Sequence, residues 1–251
     1  MSDEPYLQVR NLTHVFGGKP VLDDVGFTIE RGEFVALLGP SGCGKSTILN
    51  ILAGFIAPTH GNAWAHGQPI AGPSPRRGVV FQDAALFPWL SVHDNLAFPL
   101  KARSVRRSGW EALIERMLDS MELSSFRSHL PHELSGGMKQ RVAIGRVLIN
   151  EPDVLLMDEP FGALDAQTRL RMQDFLLRIY EQIRPTVVFV THDIDEAIYL
   201  SDRILIMSAH PGRIVRVIAV AELRPRTRGF LTSEQFMVAK RDIMQTLTAV
   251  A

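Results

Sequence analysis

The chain of 251 residues is long enough for a substantial core, either as one large domain or as a core with a subdomain. Its 27 basic and 27 acidic side chains cancel, so the net charge gives no electrostatic case for nucleic acid as the main partner. The single cysteine, Cys43, excludes an internal disulfide framework and is compatible with a reducing cytosol.

The sequence gives no indication of a segment that enters or crosses a membrane. Its start, residues 1–5, is acidic and polar, unlike a secretory leader. No apolar run approaches the roughly 20 residues that a helix needs to span a bilayer. We therefore expect the protein to be soluble by itself, which leaves docking on a membrane partner open.

The N-terminal part of the chain alternates strand-like segments and turns. Apolar residues at 7–16 and 25–29 predict two strands of an antiparallel layer, separated by a turn with two glycines at 17–20. The continuous apolar run Phe34–Leu38 is typical of a buried strand, and apolar residues recur at helical spacing from Ile48 onwards. A glycine-rich segment joins this strand to this helix.

That segment fits the phosphate-loop pattern G-x-x-x-x-G-K-[ST] through Gly39, Gly44, Lys45 and Ser46. Glycines let successive backbone N–H groups converge on one point, at which the next helix also directs its unpaired first-turn N–H groups. The lysine suits the β- and γ-phosphates, and the serine hydroxyl suits Mg²⁺. Cys43 lies where a thiol pKa is usually lowered, but we interpret it as a permissive position and not as a nucleophile. The predicted nucleotide-binding residues are Gly39, Pro40, Ser41, Gly42, Cys43, Gly44, Lys45, Ser46 and Thr47.

Downstream of the phosphate loop, the chain predicts first short strands and then a helical insertion. A Gly- and Pro-rich stretch over 57–75 favours short strands and turns, and a short apolar strand over 78–81 ends at Gln82. From Asp94 to about His132, apolar residues recur at helical spacing, which indicates an inserted helical subdomain. We interpret its basic residues as a solvated face; they are Lys101, Arg103, Arg106 and Arg107.

The remainder of the chain again alternates strands and helices. Apolar runs over 154–157 and 186–190 predict central parallel strands that are covered on both sides. A long amphipathic helix lies between them, from about Thr168 to Ile183. Apolar segments on both sides of a turn at 210–213 predict a hairpin, and the chain ends in a predicted helix.

The segment Leu134–Arg141 contains a second helix start whose residues suit phosphate binding. Ser135 is a good N-cap, and Gly136 and Gly137 leave the first helical N–H groups unobstructed. This arrangement predicts a second phosphate-binding helix start with no lysine of its own. If the segment stood alone, an ordinary capped helix would be the default interpretation.

Further motifs in a fixed order decide between these interpretations. An apolar strand ends in the carboxylates Asp158 and Glu159, Asp165 follows, and His192 lies at the end of the next strand. With these motifs, the chain resembles the nucleotide-binding subunits of ABC transporters over nearly its whole length. The matching features in chain order are Phe16, the phosphate loop, Gln82, the signature at Ser135, Gly136 and Gly137, then Asp158, Glu159, Asp165 and His192.

The resemblance implies a role for each polar residue. Asp158 would bind Mg²⁺ with Ser46, and Glu159 would orient or deprotonate the attacking water. His192 would contact the γ-phosphate as a switch, and Gln82 would sense the Mg²⁺ and water site. The predicted catalytic residues are Glu159, His192, Gln82 and Lys45, and the predicted metal-binding residues are Ser46, Gln82 and Asp158.

Three positions keep an alternative or depart from the family. Phe16, where a tyrosine is frequent, would stack on adenine, although an aromatic residue at a strand end is usually part of a core. Asp165 would join the dimer contact, with N-capping of the following helix as the serious alternative. Met138 replaces a common glutamine, which puts a polar contact of that side chain in doubt and leaves the signature serine and glycine backbone unaffected.

The resemblance also implies the fold and the assembly. The expected fold is α/β, a P-loop NTPase core with a mainly parallel sheet, an N-terminal antiparallel β layer and an inserted helical subdomain. We expect one ABC ATPase domain over 1–251, with the core in 1–93 and 151–251 and the helical subdomain with the signature in about 94–150. Because the signature and the phosphate loop bind one nucleotide from opposite subunits in this family, a head-to-tail homodimer would hold two ATP molecules.

Four segments resemble the nitrate/sulfonate/taurine importer branch, namely 87–90, Met138, 157–165 and 211–214. This branch implies an ATPase subunit at the cytoplasmic face of the inner (plasma) membrane that energises uptake of a small anionic solute. Its partners would be a second ATPase subunit, integral-membrane permease subunits and, indirectly, an extracytoplasmic solute-binding protein, with no nucleic acid. The apolar cluster at 87–90 would form a groove for a short permease helix, with local core packing as the alternative.

Other functions are weighed against this one. A DNA-repair ABC ATPase would insert a long coiled coil before the signature, where this chain lacks sustained heptads, and a translation ABC ATPase would carry two cassettes. A phosphate-loop kinase or GTPase leaves the signature and His192 unexplained. An exporter ATPase is harder to exclude, but the missing fused membrane span and the branch resemblance favour import. The sequence is silent on the transported solute.

Overall fold

The computed structural model describes residues 5–103 and 109–250. Two sequence-based expectations, the acidic start at 1–4 and the basic residues Arg106 and Arg107, lie outside the described residues. Within the two described ranges, no helix is both long enough and apolar enough to cross a membrane.

Strands and helices alternate along most of the chain. The strands are β1 (Leu7–Phe16), β2 (Lys19–Ile29), β3 (Phe34–Leu38), β4 (His60–Ala65), β5 (Gln68–Pro69), β6 (Arg77–Val80), β7 (Val154–Asp158), β8 (Thr186–Thr191), β9 (Arg203–Met207) and β10 (Ile214–Ala219). The helices are α1 (Lys45–Ala53), α2 (Val92–Ala102), α3 (Trp110–Ser120), α4 (Gly136–Leu148), α5 (Ala166–Ile183), α6 (Ile194–Leu200) and α7 (Glu234–Val250).

The N-terminal antiparallel layer is a four-stranded sheet of order β2-β1-β4-β5. Gly17 and Gly18 join β1 to β2 with φ angles of 54° and 79°, which a two-residue hairpin needs and which glycine adopts without steric cost. Phe16 therefore pairs directly with Lys19, and β2 begins well before the predicted residue 25. The hairpin holds Phe16 at its tip.

The central sheet has six strands in the order β10-β9-β3-β8-β7-β6. The strands pair in parallel, except that β10 pairs antiparallel with β9. Strands β3, β7 and β8 are buried almost throughout, which explains their continuous apolar runs. Because these three strands are neighbours and parallel, the phosphate loop, Asp158 and His192 follow them at the same edge of the sheet.

Alternate residues of the central strands face two separate cores. Phe34 and Leu38 of β3 pack into one core with helices α4, α5 and α6. Val35 and Leu37 pack into the other core with α1 and the antiparallel layer. The period-two alternation of the strand thus makes the central sheet the middle layer of the molecule.

Helices α2, α3 and α4 lie in the chain between β6 and β7, where helical spacing predicts them. Ser91 caps α2 by accepting the N–H of Asp94 at 3.1 Å. Lys101 and Arg103 at the end of α2 are exposed, as expected of a solvated face, and Lys101 pairs with Asp94 at 3.3 Å. The packing of α4 against β6 and α5 fixes the position of the signature segment.

Candidate functional site

The phosphate loop lies between β3 and α1. Gly44 is the N-cap of α1 with a φ of 95°, and no side chain caps this helix, so its first N–H groups are left for a ligand. A Cβ on Gly44 would lie 2.4 Å from Leu22 Cδ2, and a Cβ on Gly39 would lie 2.9 Å from the Met207 carbonyl oxygen. Glycine is therefore required here by the packing around the loop as well as by room for phosphates.

Lys45 is buried, and its ammonium group is held by the loop itself. Nζ donates to the carbonyl oxygens of Gly39 at 2.7 Å and Pro40 at 2.9 Å. A phosphate would therefore compete with two loop carbonyls for this cation. Cys43 Sγ lies 3.9 Å from Nζ in a fully buried position. Burial raises the pKa of the Cys43 thiol more than Lys45 lowers it, so the expectation of a lowered thiol pKa is wrong.

Ser46 and Asp158 come together from α1 and β7. The Ser46 hydroxyl donates to Oδ1 of Asp158 at 3.0 Å. Burial raises the pKa of Asp158, and the Ser46 hydrogen bond opposes this rise. A hydroxyl beside a carboxylate offers the hard oxygen donors that Mg²⁺ takes together with phosphate oxygens and water. The pair therefore fits a magnesium ion.

Glu159 and His192 meet at the ends of the neighbouring strands β7 and β8. Nδ1 of His192 lies 3.0 Å from Oε2 of Glu159. Glu159 has a left-handed φ of 43°, a strained conformation of the kind found at active sites, and its N–H donates to the Val190 carbonyl at 3.0 Å. The His192 side chain is 57% exposed and the Glu159 side chain is 22% exposed, so water reaches both. Two predicted catalytic residues thus form one contact beside Asp158.

Gln82 follows β6 and joins the same edge of the sheet. Its side chain is exposed, and a Cβ on Gly162 would lie 3.1 Å from Gln82 Nε2. Gly162 closes the turn that follows Glu159, since its N–H donates to the Glu159 carbonyl at 3.0 Å. Gln82 thus lies next to the turn that carries Glu159, and its sensing of Mg²⁺ and water stays a prediction.

Phe16 is exposed at the tip of the β1–β2 hairpin. Its side chain is 51% exposed, and its ring packs edge-on against His14 with centroids 4.4 Å apart and an interplanar angle of 76°. The alternative that Phe16 belongs to a core is therefore wrong. Its stacking on adenine stays a prediction.

Asp165 is the N-cap of α5. Its Oδ1 accepts the N–H groups of Gln167 at 3.1 Å and Thr168 at 3.0 Å. The hydrogen bonds from Thr168 and Gln167 hold the pKa of Asp165 below its usual value. The N-capping alternative is confirmed, and the dimer contact of Asp165 stays a prediction.

The signature segment forms the start of α4, as predicted. Ser135 is the N-cap, and its Oγ accepts the N–H of Met138 at 3.3 Å. Ser135 and Gly136 are exposed, whereas a Cβ on Gly137 would lie 2.7 Å from Thr168 Cγ2 of α5. No hydrogen bond among residues 5–103 and 109–250 joins this helix start to the phosphate loop of the same chain.

Comparison with known proteins identifies the family. A family model described as ABC transporter matches residues 22–162, which is more than half of the chain. The chain belongs to the ABC transporter family. The predicted P-loop NTPase fold is confirmed by the solved ATP-binding cassette MJ0796 in a dimeric post-hydrolysis state with ADP and Pi. That cassette has a TM-score of 0.74 and 32% identity, and the match covers 86% of this chain and 100% of the cassette.

Two relatives confirm the predicted branch of the ABC family. An aliphatic sulfonates import ATP-binding protein from Bacillus cereus is 47% identical over 225 residues, which cover 90% of this chain and 87% of that protein. A taurine import ATP-binding protein from a Jannaschia species is 45% identical over 213 residues, which cover 83% of this chain and 80% of that protein.

The apolar cluster at 87–90 of this ABC family chain divides into two parts. Phe87 is half-buried and packs against Phe98 with a centroid distance of 4.3 Å, under the Arg146 guanidinium at 5.4 Å. Trp89 is 73% exposed. Phe87 and Phe98 line a groove of about 480 Å³. Local packing therefore accounts for Phe87, and Trp89 remains open to a partner.

A buried polar cluster that the sequence pattern does not reveal lies next to His192. Glu196 of α6 is 5% exposed and accepts hydrogen bonds from Thr191 Oγ1 at 2.7 Å and Gln173 Nε2 at 3.2 Å. The D-x-x-E spacing of Asp193 and Glu196 is a capping-box pattern that marks this glutamate. In the structure its side chain instead points to Thr191, which no local pattern indicates.

The β9–β10 turn packs against the phosphate loop, a contact that the sequence pattern does not reveal. The N–H of Gly212 donates to the Val21 carbonyl at 2.9 Å, and its carbonyl accepts the N–H of Asp23 at 3.1 Å. A Cβ on Gly212 would lie 1.9 Å from the Cys43 carbonyl oxygen. The turn therefore contacts the loop backbone directly, although the two segments are far apart in the sequence.

Proposed function

We propose that this chain is the ATP-binding and ATP-hydrolysing subunit of an ABC importer that energises uptake of a small anionic, sulfonate-like solute. The observation that carries this proposal is the meeting of the phosphate loop, Gln82, the Asp158–Glu159 pair and His192 at one edge of the central sheet. The printed functions of two relatives, import of aliphatic sulfonates and of taurine, support import and this class of solute.

The phosphates of ATP would bind at the N-terminus of α1. The first-turn N–H groups, which no side chain caps, would donate to phosphate oxygens, and the positive end of the helix would favour the phosphate charge. Lys45 would leave the carbonyls of Gly39 and Pro40 and donate to the β- and γ-phosphates instead. Phe16 would stack on the adenine from the hairpin tip.

Ser46 and Asp158 would hold Mg²⁺ through their side-chain oxygens, with Gln82 sensing the ion and the attacking water. Bound there, Mg²⁺ would neutralise charge on the phosphate oxygens. Glu159 would orient or deprotonate the water, and His192, already 3.0 Å from Glu159, would contact the γ-phosphate. The reaction then depends on positioning and charge stabilisation.

The signature supports a head-to-tail homodimer. Ser135, Gly136 and Gly137 start a helix with open N–H groups, but no hydrogen bond of the described residues joins them to their own phosphate loop. In a homodimer they would bind the ATP held by the other copy, and Asp165 would lie at the contact. The solved cassette with 32% identity is itself described as dimeric, which supports this assembly.

The catalytic assignment is tested with Glu159→Gln in the full chain. Turnover is expected to fall by at least about 100-fold, because general acid–base groups contribute roughly 10²–10⁴-fold. ATP should still bind, and an ATP-dependent dimer should accumulate in analytical ultracentrifugation. Glu234→Gln, at an exposed carboxylate of α7, is the matched control and should keep wild-type turnover. Wild-type turnover of the Glu159 variant would refute the role of Glu159.

The proposed importer requires a membrane partner, and the exposed Trp89 beside the groove is the proposed contact. A short helix of a permease subunit would lie on this surface and couple the site at Gln82 to transport, which puts the chain at the cytoplasmic membrane face. A solute-binding protein would act on the other side through the permease.

We also propose residues from about 94 to 150 as the helical subdomain, on the basis of helices α2, α3 and α4.

The permease contact is tested with Trp89→Ala. We expect unchanged ATP binding but weaker co-purification with co-expressed permease subunits, because the variant loses a large exposed anchor. Leu223→Ala is the control, since Leu223 is 85% exposed and lies in the segment that follows β10. Equal recovery of the permease with both variants would contradict the proposed contact.

A further inference from the structure

Arg169 of α5 lies between two segments that have separate roles in the proposed function. Its Nη2 donates to the carbonyl oxygen of Leu164, the residue before Asp165, at 3.1 Å. Its Nη1 lies 3.7 Å from Oδ2 of Asp193, and its Nε lies 3.9 Å from Oε1 of Glu196. One planar guanidinium therefore connects the loop before α5 with the first turn of α6.

Glu196 is linked by hydrogen bonds to Thr191 and, through Thr191, to Asp193, the two residues that flank His192. Its Oε2 accepts the hydroxyl of Thr191 at 2.7 Å, and the same hydroxyl oxygen accepts the N–H of Asp193 at 3.0 Å. Gln173 of α5 donates to the other carboxylate oxygen at 3.2 Å. The Glu196 side chain is only 7% exposed, so these bonds form where solvent competes little. His192 therefore lies between two residues, Thr191 and Asp193, whose positions are fixed by hydrogen bonds.

The charge of Arg169 suits this arrangement. Burial raises the pKa of Glu196 above its usual value, and the charge of Asp193 adds to the rise, whereas the hydrogen bonds from Thr191 and Gln173 and, least of these, the charge of Arg169 oppose it. An ionised Glu196 accepts both of its hydrogen bonds, whereas a protonated carboxyl would have to donate from one oxygen. Arg169 thus opposes the effect of burial and of Asp193 on this carboxyl group.

The loop that Arg169 contacts also touches the signature of the same chain. A Cβ on Gly136 would lie 3.2 Å from Leu164 Cδ2, and a Cβ on Gly137 would lie 2.7 Å from Thr168 Cγ2. The start of α5 is therefore packed between the signature helix and the segment that carries His192. In the proposed dimer, it lies between the surface that binds the partner's ATP and the switch of its own site.

We infer that Arg169 is a positioning residue that couples the Leu164–Asp165 segment to His192, so that contact between two copies sets the histidine for turnover. Arg169 acts through Asp193 and Glu196. This inference rests on the proposed function. Removal of the Arg169 side chain should therefore leave ATP binding and dimer formation intact and lower the rate of hydrolysis.

The test compares Arg169→Gln, Arg169→Lys and the control Arg171→Gln, which removes the same charge from an exposed position of α5. For Arg169→Gln we expect a kcat at least about tenfold lower with KM for ATP nearly unchanged, because a misplacement of about 1 Å can cost on the order of 100-fold. Arg169→Lys keeps the charge but not the planar guanidinium that reaches Leu164, Asp193 and Glu196 at once, so its kcat should be intermediate. Arg171→Gln should match the wild type.

The double variant Arg169→Gln with Glu159→Gln separates this inference from the proposed function. We expect it to form the ATP-dependent dimer as readily as Glu159→Gln alone. A wild-type kcat in Arg169→Gln, or loss of the dimer only when Arg169 is replaced, would overturn the coupling. If Arg169→Gln does not fold, Arg169→Lys decides, and a wild-type kcat there overturns it. Absence of the dimer in Glu159→Gln alone would instead refute the proposed homodimer.

Discussion

Two helix starts on this chain suit phosphate, and they are built in opposite ways. Helix α1 begins at Gly44 with no side-chain cap, and Lys45 at its first position is buried over the loop. Helix α4 begins at Ser135, whose hydroxyl already accepts the N–H of Met138, and the segment carries no buried cation. The first start has its own positive charge, and the second has only backbone dipoles and one hydroxyl.

The two helix starts also differ in how far their own chain surrounds them. The phosphate loop is enclosed by its own chain, with Met207 and Gly212 against its backbone and Asp158 bonded to Ser46. At the signature, Ser135 is exposed and no hydrogen bond within the described residues ties it to that loop. The proposed function therefore assigns nucleotide binding to one chain and turnover to two copies.

Among changes to the two helix starts, the largest loss of ATP binding is expected from Lys45→Ala, which removes the cation from the start of α1. Loss of charge-assisted hydrogen bonds of about 1.5–3 kcal/mol corresponds to roughly 10–100-fold weaker ATP binding. Isothermal titration with ATP measures the change, and Lys101→Ala, at an exposed lysine of α2, is the control. Retained tight binding would contradict the phosphate-loop assignment.

A smaller and more selective effect is expected from Ser135→Ala. Binding of ATP to the single chain should not change, while the ATP-dependent dimer in the Glu159→Gln background should form about tenfold less tightly, since one hydrogen bond to a charged phosphate is lost. Ser233 caps the start of α7 by accepting the N–H of Phe236 at 3.2 Å. Ser233→Ala therefore removes a comparable cap, at a cost of about 1 kcal/mol of stability, from a helix that carries neither the phosphate loop nor the signature. If both variants dimerise equally well, the second start does not bind nucleotide.

The smallest effect is expected from Gly212→Ala, which changes the support of the first start and none of its ligands. Its Cβ would meet the Cys43 carbonyl at 1.9 Å, so the loop must shift. Overpacking costs about 1–3 kcal/mol of stability. With about 1 kcal/mol of that cost borne by the loop conformation that binds phosphate, ATP should bind roughly fivefold more weakly, as measured by titration. Gly72→Ala has no atom within 4 Å of the new Cβ and should bind normally. Equal affinities would show that the turn does not position the loop.

Features that depend on neighbours in the chain were predictable from the order of the amino acids. Glycine spacing at Gly39 and Gly44 predicted the phosphate loop, Ser135 predicted the start of α4, and continuous apolar runs predicted the buried strands β3, β7 and β8. These properties follow from local backbone conformation, capping and burial on both faces of a sheet, which a few consecutive residues specify.

Which of these features meet, and which side chains surround them, became known only from the folded structure. It exposed Phe16, buried the Cys43 thiol, brought Gln82 next to Gly162, and placed Arg169 between Leu164 and Glu196. The pKa of a thiol and the path of a buried hydrogen-bond network depend on burial and on partners from other segments of the chain. Such contacts between distant residues arise from packing the sheet, the helices and the antiparallel layer together, and no local pattern encodes them.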